Sequence, residues 1–251
     1  MLKITVVTVV LKDWRGLKKT VSSVTNQSQS NYQLEYIVID GMSLCEKIDD
    51  VVSNSKIDKY LSEKDSGIYD AMNKGIKLAT GDWVIFLNAG DTFYSSETLD
   101  RMSSHLSLAD SAQDNFIYGN YITESKRVSQ NLSIRYLASH MINHQSIFYK
   151  RDLLTNSNFD IRYKYCADYK HLLDNLNRLN SKYIDENICF FDSDGVSSDE
   201  NNRLIMWIER LRSIWESELK LTTKLMLSSR GCMALPYHYI KSILKGVEWK
   251  K

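Results

Sequence analysis

No two cysteines in this chain stand close enough in sequence to act together. Cys45, Cys166, Cys189 and Cys232 are scattered with no C-x-x-C, so neither a zinc site nor a disulfide framework is indicated, and reduced, mostly buried thiols remain as the reading. Long apolar runs are missing as well. The opening stretch MLKITVVTVVLKDW is too short to span a bilayer and lacks a small-residue cleavage site, and no later segment approaches the ~20 apolar residues of a spanning helix. A cytoplasmic protein is expected. Neither G-x-x-x-x-G-K-[ST] nor G-x-G-x-x-G occurs, which argues against a P-loop or dinucleotide-binding fold. Internal repeats and low-complexity linkers are absent, and no nucleic-acid partner is expected.

What is present suits a globular α/β protein. A chain of 251 residues that is 43% hydrophobic has enough core for one large domain or two small ones. The net charge of +1 hides an asymmetry, because residues from Asn201 onward carry 10 Lys and Arg against 4 Asp and Glu. That leaves −5 for residues 1 to 200.

The stretch from Ser62 to Asp91 organises the rest. Ser66 is placed to cap a helix beginning at Ile68. Ile68, Met72, Ile76 and Ala79 recur at helical spacing, with Gly81 where a left-handed C-terminal residue would sit. Trp83 to Leu87 is an apolar run that suits a strand covered on both faces, and Asn88-Ala89-Gly90-Asp91 breaks it. Ligands of open α/β sheets bind at the carboxyl edge of the strands, which puts Asp91 where chemistry happens.

Upstream, Ile4 to Leu11 reads as a buried strand, followed by a helix with Leu17, Val21 and Val24 on one face. Glu35 to Asp40 is a second strand that ends in Asp40-Gly41. Ile48, Val51 and Val52 suggest a short helix, and Ile57 to Leu61 a third strand leading into the loop of Glu63 and Asp65. This alternation predicts a parallel sheet with helices on both faces and acids at three strand ends.

Downstream, a helix over Thr98 to Leu108, a short strand over Phe116 to Tyr118 and a polar hairpin over Tyr121 to Ser129 are expected. Asn143-His144-Gln145-Ser146 precedes an apolar strand at Ile147 to Tyr149. A helix from Ala167 turns Leu172, Leu173 and Leu176 inward and carries Asp168 in its first turn, where an acid is favoured by the helix dipole whatever its function. Tyr183-Ile184 and Ile188 to Phe191 read as two short strands, and Asp194 to Ser198 as a loop. Leu204, Ile208, Leu211, Trp215 and Leu219 form the stripe of a long amphipathic helix. A final basic helix carries Ile240, Ile243, Leu244 and Val247 beside Lys241 and Lys245.

Carboxylates gathered at one sheet edge repel one another unless a cation or hydrogen-bond donors lie between them. A divalent metal with a nucleotide meets that need, and oxygen ligands with few supporting residues suit Mg²⁺ or Mn²⁺.

Taken together, the TVV strand, VIDG at 38 to 41, SEKDSGIYDAMNKGI at 62 to 76, ATGDWVIFLNAGD at 79 to 91, INHQSIFY at 142 to 149 and CADYKHLL at 166 to 173 resemble bacterial family-two glycosyltransferases. The motifs follow that family's order over residues 1 to about 200. The resemblance implies a GT-A fold, a mostly parallel sheet with helices on both faces. It also implies inverting transfer of a sugar from a UDP- or GDP-sugar donor to an acceptor hydroxyl. By the same resemblance Asp40 and Asp65 contact base and ribose, Glu63, Gly67, Asn73 and Asn88 stand on the donor-nucleotide side, Asp91 binds the metal, and Asp168 is the catalytic base. His144 is a candidate to orient acceptor or leaving phosphate, or else a hydrogen-bonded structural residue. Asp40 and Asp65 read equally as turn residues making Asx-type hydrogen bonds. One departure stands out: a motif that many members write D-x-D-D is Asn88-Ala89-Gly90-Asp91 here, with a single carboxylate.

Residues 1 to 200 are expected to form the GT-A-like domain, with a nucleotide-binding part to about 120 and an acceptor part from about 121 to 200. Residues 201 to 251 would add a basic helical extension. Lys241, Lys245, Lys250, Lys251 and Trp249 suit an anionic membrane surface, where a lipid-linked or oligosaccharide acceptor would be met on the inner membrane, and suit equally a helix with a solvated charged face. A sugar-phosphate nucleotidyltransferase is the rival enzyme, although Leu11-Lys12-Asp13-Trp14-Arg15 is not its glycine-rich loop. A non-catalytic sugar-binding or scaffolding subunit is the rival of another class.

Overall fold

The structure, a computed structural model, describes residues 1–124, 126–192 and 202–230. From Ile4 on, every residue of β1 (Leu2–Val10) is buried. Its β-branched side chains fill both faces, so the strand runs through the interior of the sheet without alternation. β1 pairs in parallel with β2 (Tyr32–Asp40) on one side and β4 (Trp83–Phe86) on the other, and β2 pairs in parallel with β3 (Lys59–Ser62). The crossovers are the helices α1 (Trp14–Thr25), α2 (Glu46–Ser53) and α3 (Ile68–Leu78). Parallel pairing brings the carboxyl ends of β1 to β4 to one edge.

Beyond β4 the sheet becomes mixed. β6 (Phe116–Ile122) and β8 (Ile147–Lys150) are antiparallel to each other, and β8 is antiparallel to β4. β9 (Ser181–Phe190) runs parallel to β6 and antiparallel to β5 (Thr92–Phe93), while β7 (Arg127–Val128) closes a hairpin on β6. The order is β3-β2-β1-β4-β8-β6-β9-β5. One face packs Ile4, Val6, Ile85 and Leu87 against Leu17 and Val21 of α1 and Leu99, Met102 and Leu106 of α4 (Thr98–Ala112). On the other, α3 lies over β1 and β2 with Met72 and Ile76 buried, and Phe159 meets Phe86 edge-on and Tyr69 at a tilt, both at 5.6 Å between ring centres.

The chain divides into two compact units. The first comprises Met1–Gln130, Asn143–Ile161 and Arg178–Asp192, which include the whole sheet and α6 (Arg151–Asn156). The second comprises Asn131–Ile142, Arg162–Asn177 and the described residues beyond 193, with α5 (Ile134–Leu137), α7 (Ala167–Asn175), α8 (Arg203–Glu216) and a further helix over 221–230.

Several local expectations need correction. Ser66 does not cap α3. The cap position is Gly67 at φ +132°, while the Asp70 carboxylate accepts from the Ser66 N–H (2.9 Å) and the Asp65 carboxylate from the Gly67 N–H (3.0 Å). Ile68 is 40% exposed and so stands outside the buried stripe. Gly81 is not left-handed; it is required because a Cβ there would lie 2.5 Å from Thr5 Oγ1 and 2.8 Å from the Thr5 nitrogen. The two short strands at 183–191 are one strand. The polar residues between the apolar runs are held within it, Asp185 accepting from Tyr183 Oη (2.9 Å) and Asn120 Nδ2 (3.1 Å), and a bulge against β6 absorbs the change of register.

α8 buries only part of its apolar stripe: Leu204 is buried, and Leu219 lies beyond the end of the helix. Ile208 and Trp215 are about half exposed, while Glu209 and Arg210 are buried. Glu209 accepts the N–H groups of Lys164 (2.8 Å), Tyr165 (2.8 Å) and Cys166 (3.0 Å), just ahead of α7. Arg210 donates to the carbonyls of Leu137 and His140 and lies 4.6 Å from the Tyr169 ring centre. Satisfying those backbone groups outweighs burying two more apolar side chains. Cys166 and Cys189 are buried, Cys45 is partly so, and none of the three is bridged. The expected loop at Asp194 to Ser198 and the expected basic helix at 240 to 247 lie outside the described residues.

Candidate functional site

Strain and acids coincide at the carboxyl edge of the first unit. Three of the non-glycine residues with positive φ, Lys12 (58°), Met42 (63°) and Leu44 (49°), lie in the loops that follow β1 and β2. Such residues are uncommon and concentrate where loops are shaped for function. Asp40, 2% exposed, stands between these loops. Its carboxylate accepts from the Ser43 N–H (3.0 Å), from the Ser43 hydroxyl and from the Ser62 hydroxyl (2.6 Å). The turn-forming reading of Asp40 is therefore realised in its hydrogen bonds. Asp65 forms the Asx turn with Gly67, and its Oδ2 rests where a Cβ on Gly41 would be, 2.5 Å away, so Asp40-Gly41 and Asp65 are neighbours. Glu63 is exposed and pairs with Lys74 of α3 at 3.0 Å, which ties the loop to the helix.

Asn73 points elsewhere. Its amide donates to the Phe159 carbonyl (2.8 Å) and accepts from the Phe159 N–H (3.0 Å), so the buried side chain clamps α3 to the segment after α6. Both ends of the amide are thus engaged at Phe159, with one N–H and one lone pair of the side chain left over.

The second cluster follows β4. Asp91 is 3% exposed, and its carboxylate accepts from Gln145 Nε2 (2.9 Å) and from the Asp192 backbone N–H (2.9 Å), both uncharged donors. Burial, the largest influence, pushes the Asp91 carboxyl up to about 6. The two N–H donors and nearby His144 pull it down, and the Asp192 carboxylate adds to the rise. Thr20 of α1 anchors the turn, its hydroxyl accepting from the Gly90 N–H (3.0 Å) and donating to the Asp91 carbonyl (2.7 Å). Asn88 Nδ2 and His144 Nε2 are 3.1 Å apart, and Asn88 Oδ1 is buried without a hydrogen-bond partner among the described residues. The 144–146 turn is itself fastened by Gln130, whose amide donates to Ser146 Oγ and the Gly119 carbonyl, both at 2.7 Å.

Among the described residues no group of three or more His, Cys, Asp and Glu is assembled for a metal. The cluster does supply hard oxygen donors, the Asp91 carboxylate and the unpartnered Asn88 Oδ1. A Mg²⁺ or Mn²⁺ ion that keeps waters and shares a substrate diphosphate needs few ligands from protein, so these residues fit one.

The structure thus brings Asp40 together with Asp65, and Asn88 with Asp91 and His144, in the first unit. Asp168 belongs to the second unit, in the first turn of α7, with Oδ1 accepting the Tyr169 N–H at 2.8 Å. Sequence reasoning missed Thr20, Gln145 and Asp192. Thr20 left a signal as a hydroxyl on the apolar stripe of Leu17, Val21 and Val24, and Gln145 stands beside His144. Asp192 left none, being 101 residues from Asp91. A recess of about 720 Å³ between α1 and α2, lined by Trp14, Lys18, Lys47 and Lys56 among others, contains none of the site residues.

The Glycosyl transferase family 2 description matches residues 5–171. A PGL/p-HBAD biosynthesis glycosyltransferase of Mycobacterium bovis is 30% identical over 161 residues, 61% of this chain and 61% of that protein, so the chain spans less than two thirds of that relative's length. Among solved structures, S. aureus TarS 1-349 in complex with UDP superposes with a TM-score of 0.71 at 16% identity, covering 98% of this chain and 76% of that one. The mannosyltransferase PcManGT from Pyrobaculum calidifontis, in complex with GDP-Man and Mn²⁺, gives 0.68 at 12% identity, covering 99% and 76%. The fold is accordingly GT-A-like, and with a family match running from β1 into α7, this chain is a member of bacterial glycosyltransferase family 2.

Proposed function

We propose that this chain is an inverting, metal-dependent hexosyltransferase that moves a sugar from a UDP- or GDP-sugar to a hydroxyl of a glycan acceptor during surface polysaccharide biosynthesis. The observation that carries the reading is Asp91, a buried carboxylate in the turn after β4, held among the described residues by two uncharged donors and flanked by the unpartnered oxygen of Asn88. UDP in one structural relative, and GDP-Man with Mn²⁺ in another, support a nucleotide-sugar donor and a divalent ion.

When bound, the ion neutralises charge on the departing diphosphate. The chain's own residues do the rest. Asp91 and Asn88 offer oxygens to the donor side, kept in place by Gln145, Thr20 and the Asp192 N–H. Asp40 and Asp65 shape the loops that would meet base and ribose, with Glu63 and Gly67 setting the path between them. His144, beside Asn88, orients the leaving phosphate or the acceptor. Asp168 takes the proton from the acceptor hydroxyl as its oxygen bonds to the anomeric carbon and the bond to the diphosphate breaks on the opposite face.

Titration with UDP and GDP, each with and without Mn²⁺, tests the donor site, and release of nucleoside diphosphate from the matching sugar nucleotide tests transfer. Pyrophosphate release would indicate a nucleotidyltransferase instead, and binding without turnover a sugar-binding subunit. Asp168→Asn should lower turnover by about 10²- to 10⁴-fold while nucleotide binding is kept. Undiminished turnover would remove Asp168 as the base.

The acceptor we propose is lipid-linked and met at the cytoplasmic face of the inner membrane, on the strength of the basic composition of residues 201–251. Among the described residues no helix is long and apolar enough to cross a membrane. Co-sedimentation with anionic liposomes that is lost on deleting residues 231–251 is the expected result, and no binding by the intact chain would remove the membrane contact.

A further inference from the structure

The turn at 88–91 has glycine where the D-x-D-D pattern has its second acid, and the structure fills that space from a distant part of the chain. Gly90 has φ +104°, and a Cβ built on it would lie 3.0 Å from Asp192 Oδ2 and 3.6 Å from Asp192 Cγ. The Asp192 side chain therefore occupies the volume into which an acid at position 90 would project. Its placement follows from strand pairing: β5 and β9 are antiparallel with Thr92 opposite Phe190, so the residues just after β9 come alongside Asp91. The Asp192 N–H then donates to Asp91 Oδ1 at 2.9 Å, which fixes the Asp192 backbone beside the Asp91 carboxylate. Lys19 of α1 lies 3.8 Å from Asp192 Oδ2. The buried, unpartnered Asn88 Oδ1 in the same turn is an independent sign that a ligand belongs there.

We propose that Asp192 is the second carboxylate of the divalent-metal site, supplied by the segment after β9 in place of the acid absent at position 90, with Lys19 as its counter-charge while no metal is bound. This rests on the metal-dependent reading above. It explains how a motif with one acid retains a place for Mg²⁺ or Mn²⁺, because two carboxylates, one amide oxygen, a diphosphate and water complete an oxygen shell. It also gives Gly90 a role, since a larger residue there would displace Asp192.

The test is direct titration of the full chain with Mn²⁺, read by loss of the free-ion paramagnetic resonance signal, in the presence of UDP and separately of GDP. Asp192→Asn keeps the backbone N–H and the side-chain shape, and should weaken Mn²⁺ binding on the order of tenfold or more, with metal-free nucleotide affinity unchanged. Lys19→Ala should tighten Mn²⁺ binding a few-fold, and that gain should vanish in the Lys19→Ala, Asp192→Asn double variant, as a coupled pair requires. If Asp91→Asn abolishes binding while Asp192→Asn leaves it unchanged, Asp192 is not a ligand and the metal reading of Asp91 stands. If the parent chain binds no Mn²⁺ with either nucleotide, the metal reading fails and the role of Asp192 fails with it.

Discussion

Asp91 keeps a carboxyl group where almost no water reaches it, and the cost has a sign. An aspartate in an unfolded chain titrates near ~3.9, whereas burial pushes Asp91 up to about 6 in the folded chain. The folded state thus holds the proton more tightly. The associated stability is fully present below the unfolded value and is lost as pH rises through about 6, which at ~1.4 kcal/mol per unit amounts to about 3 kcal/mol. Asp91→Asn removes the buried charge. Without metal it should therefore be more stable than the parent by about 1–3 kcal/mol at pH 7.5, with no advantage near pH 4, while Mn²⁺-dependent nucleotide binding is lost. Urea unfolding at the two pH values checks the first part, and a variant no more stable at pH 7.5 would remove burial as the cause.

Among the described elements, α7 follows a segment that another helix holds in place. Glu209 of α8 takes the N–H groups of Lys164, Tyr165 and Cys166, the residues leading into α7, while inside its first turn the Asp168 carboxylate accepts the Tyr169 N–H. Asp168 follows within two residues of the last of these. Glu209→Gln substitutes an amide for a carboxylate that accepts three N–H groups, and should cost about 1–3 kcal/mol of stability. By loosening the turn that carries Asp168 it should lower turnover more than Mn²⁺-dependent nucleotide binding, whose residues lie in the other unit. Equal loss of both would mean that Glu209 serves only the fold. The other apolar positions of α8 show why amphipathic periodicity located this helix and not the whole of its buried face. Backbone hydrogen bonds placed Glu209 and Arg210 inward and left Ile208 and Trp215 half exposed.

At the scale of the molecule the two ends of the parallel strands carry opposite electrostatic designs. At the amino end Glu35, 4% exposed, is first pushed up by burial. That push is outweighed by hydrogen bonds from the Thr80 N–H and hydroxyl (both 2.7 Å), Lys59 (2.9 Å) and Thr5 (2.7 Å), which hold its carboxyl well below the usual range. These bonds join β1, β2, β3 and the turn before β4. A depressed carboxyl stabilises the fold above its unfolded value near ~4.3, and that stability is lost as pH falls toward the folded value. Asp91, at the carboxyl end, acts in the opposite direction between about 4 and 6. On these two groups alone, the metal-free protein should gain stability as pH rises to about 4 and lose it between about 4 and 6, and Mn²⁺ with nucleotide should offset that loss. Glu35→Gln should remove about 2–4 kcal/mol and flatten the acid limb, since it leaves Lys59 without its carboxylate. Denaturation midpoints across pH, with and without Mn²⁺, test both statements.

What the sequence determined by itself is local and periodic. Continuous β-branched or apolar runs mark β1, β2 and β4 as interior strands, helical spacing marks α1 and α3, Asp40 ends β2, and Asp65 and Asp91 stand in the loops that follow β3 and β4. Such features depend on residues a few positions apart, so they survive in one dimension. Tertiary structure decided the rest. It turned Asn73 toward Phe159, merged two apparent strands into β9 through side-chain partners on other strands, and replaced part of a helix stripe with a buried Glu209 and Arg210. It also delivered Asp192 to the space beside Gly90 through the pairing of β5 with β9. Each of these is a contact between distant parts of the chain, fixed by which backbone groups needed partners and where the sheet left room, and no spacing along the chain encodes it.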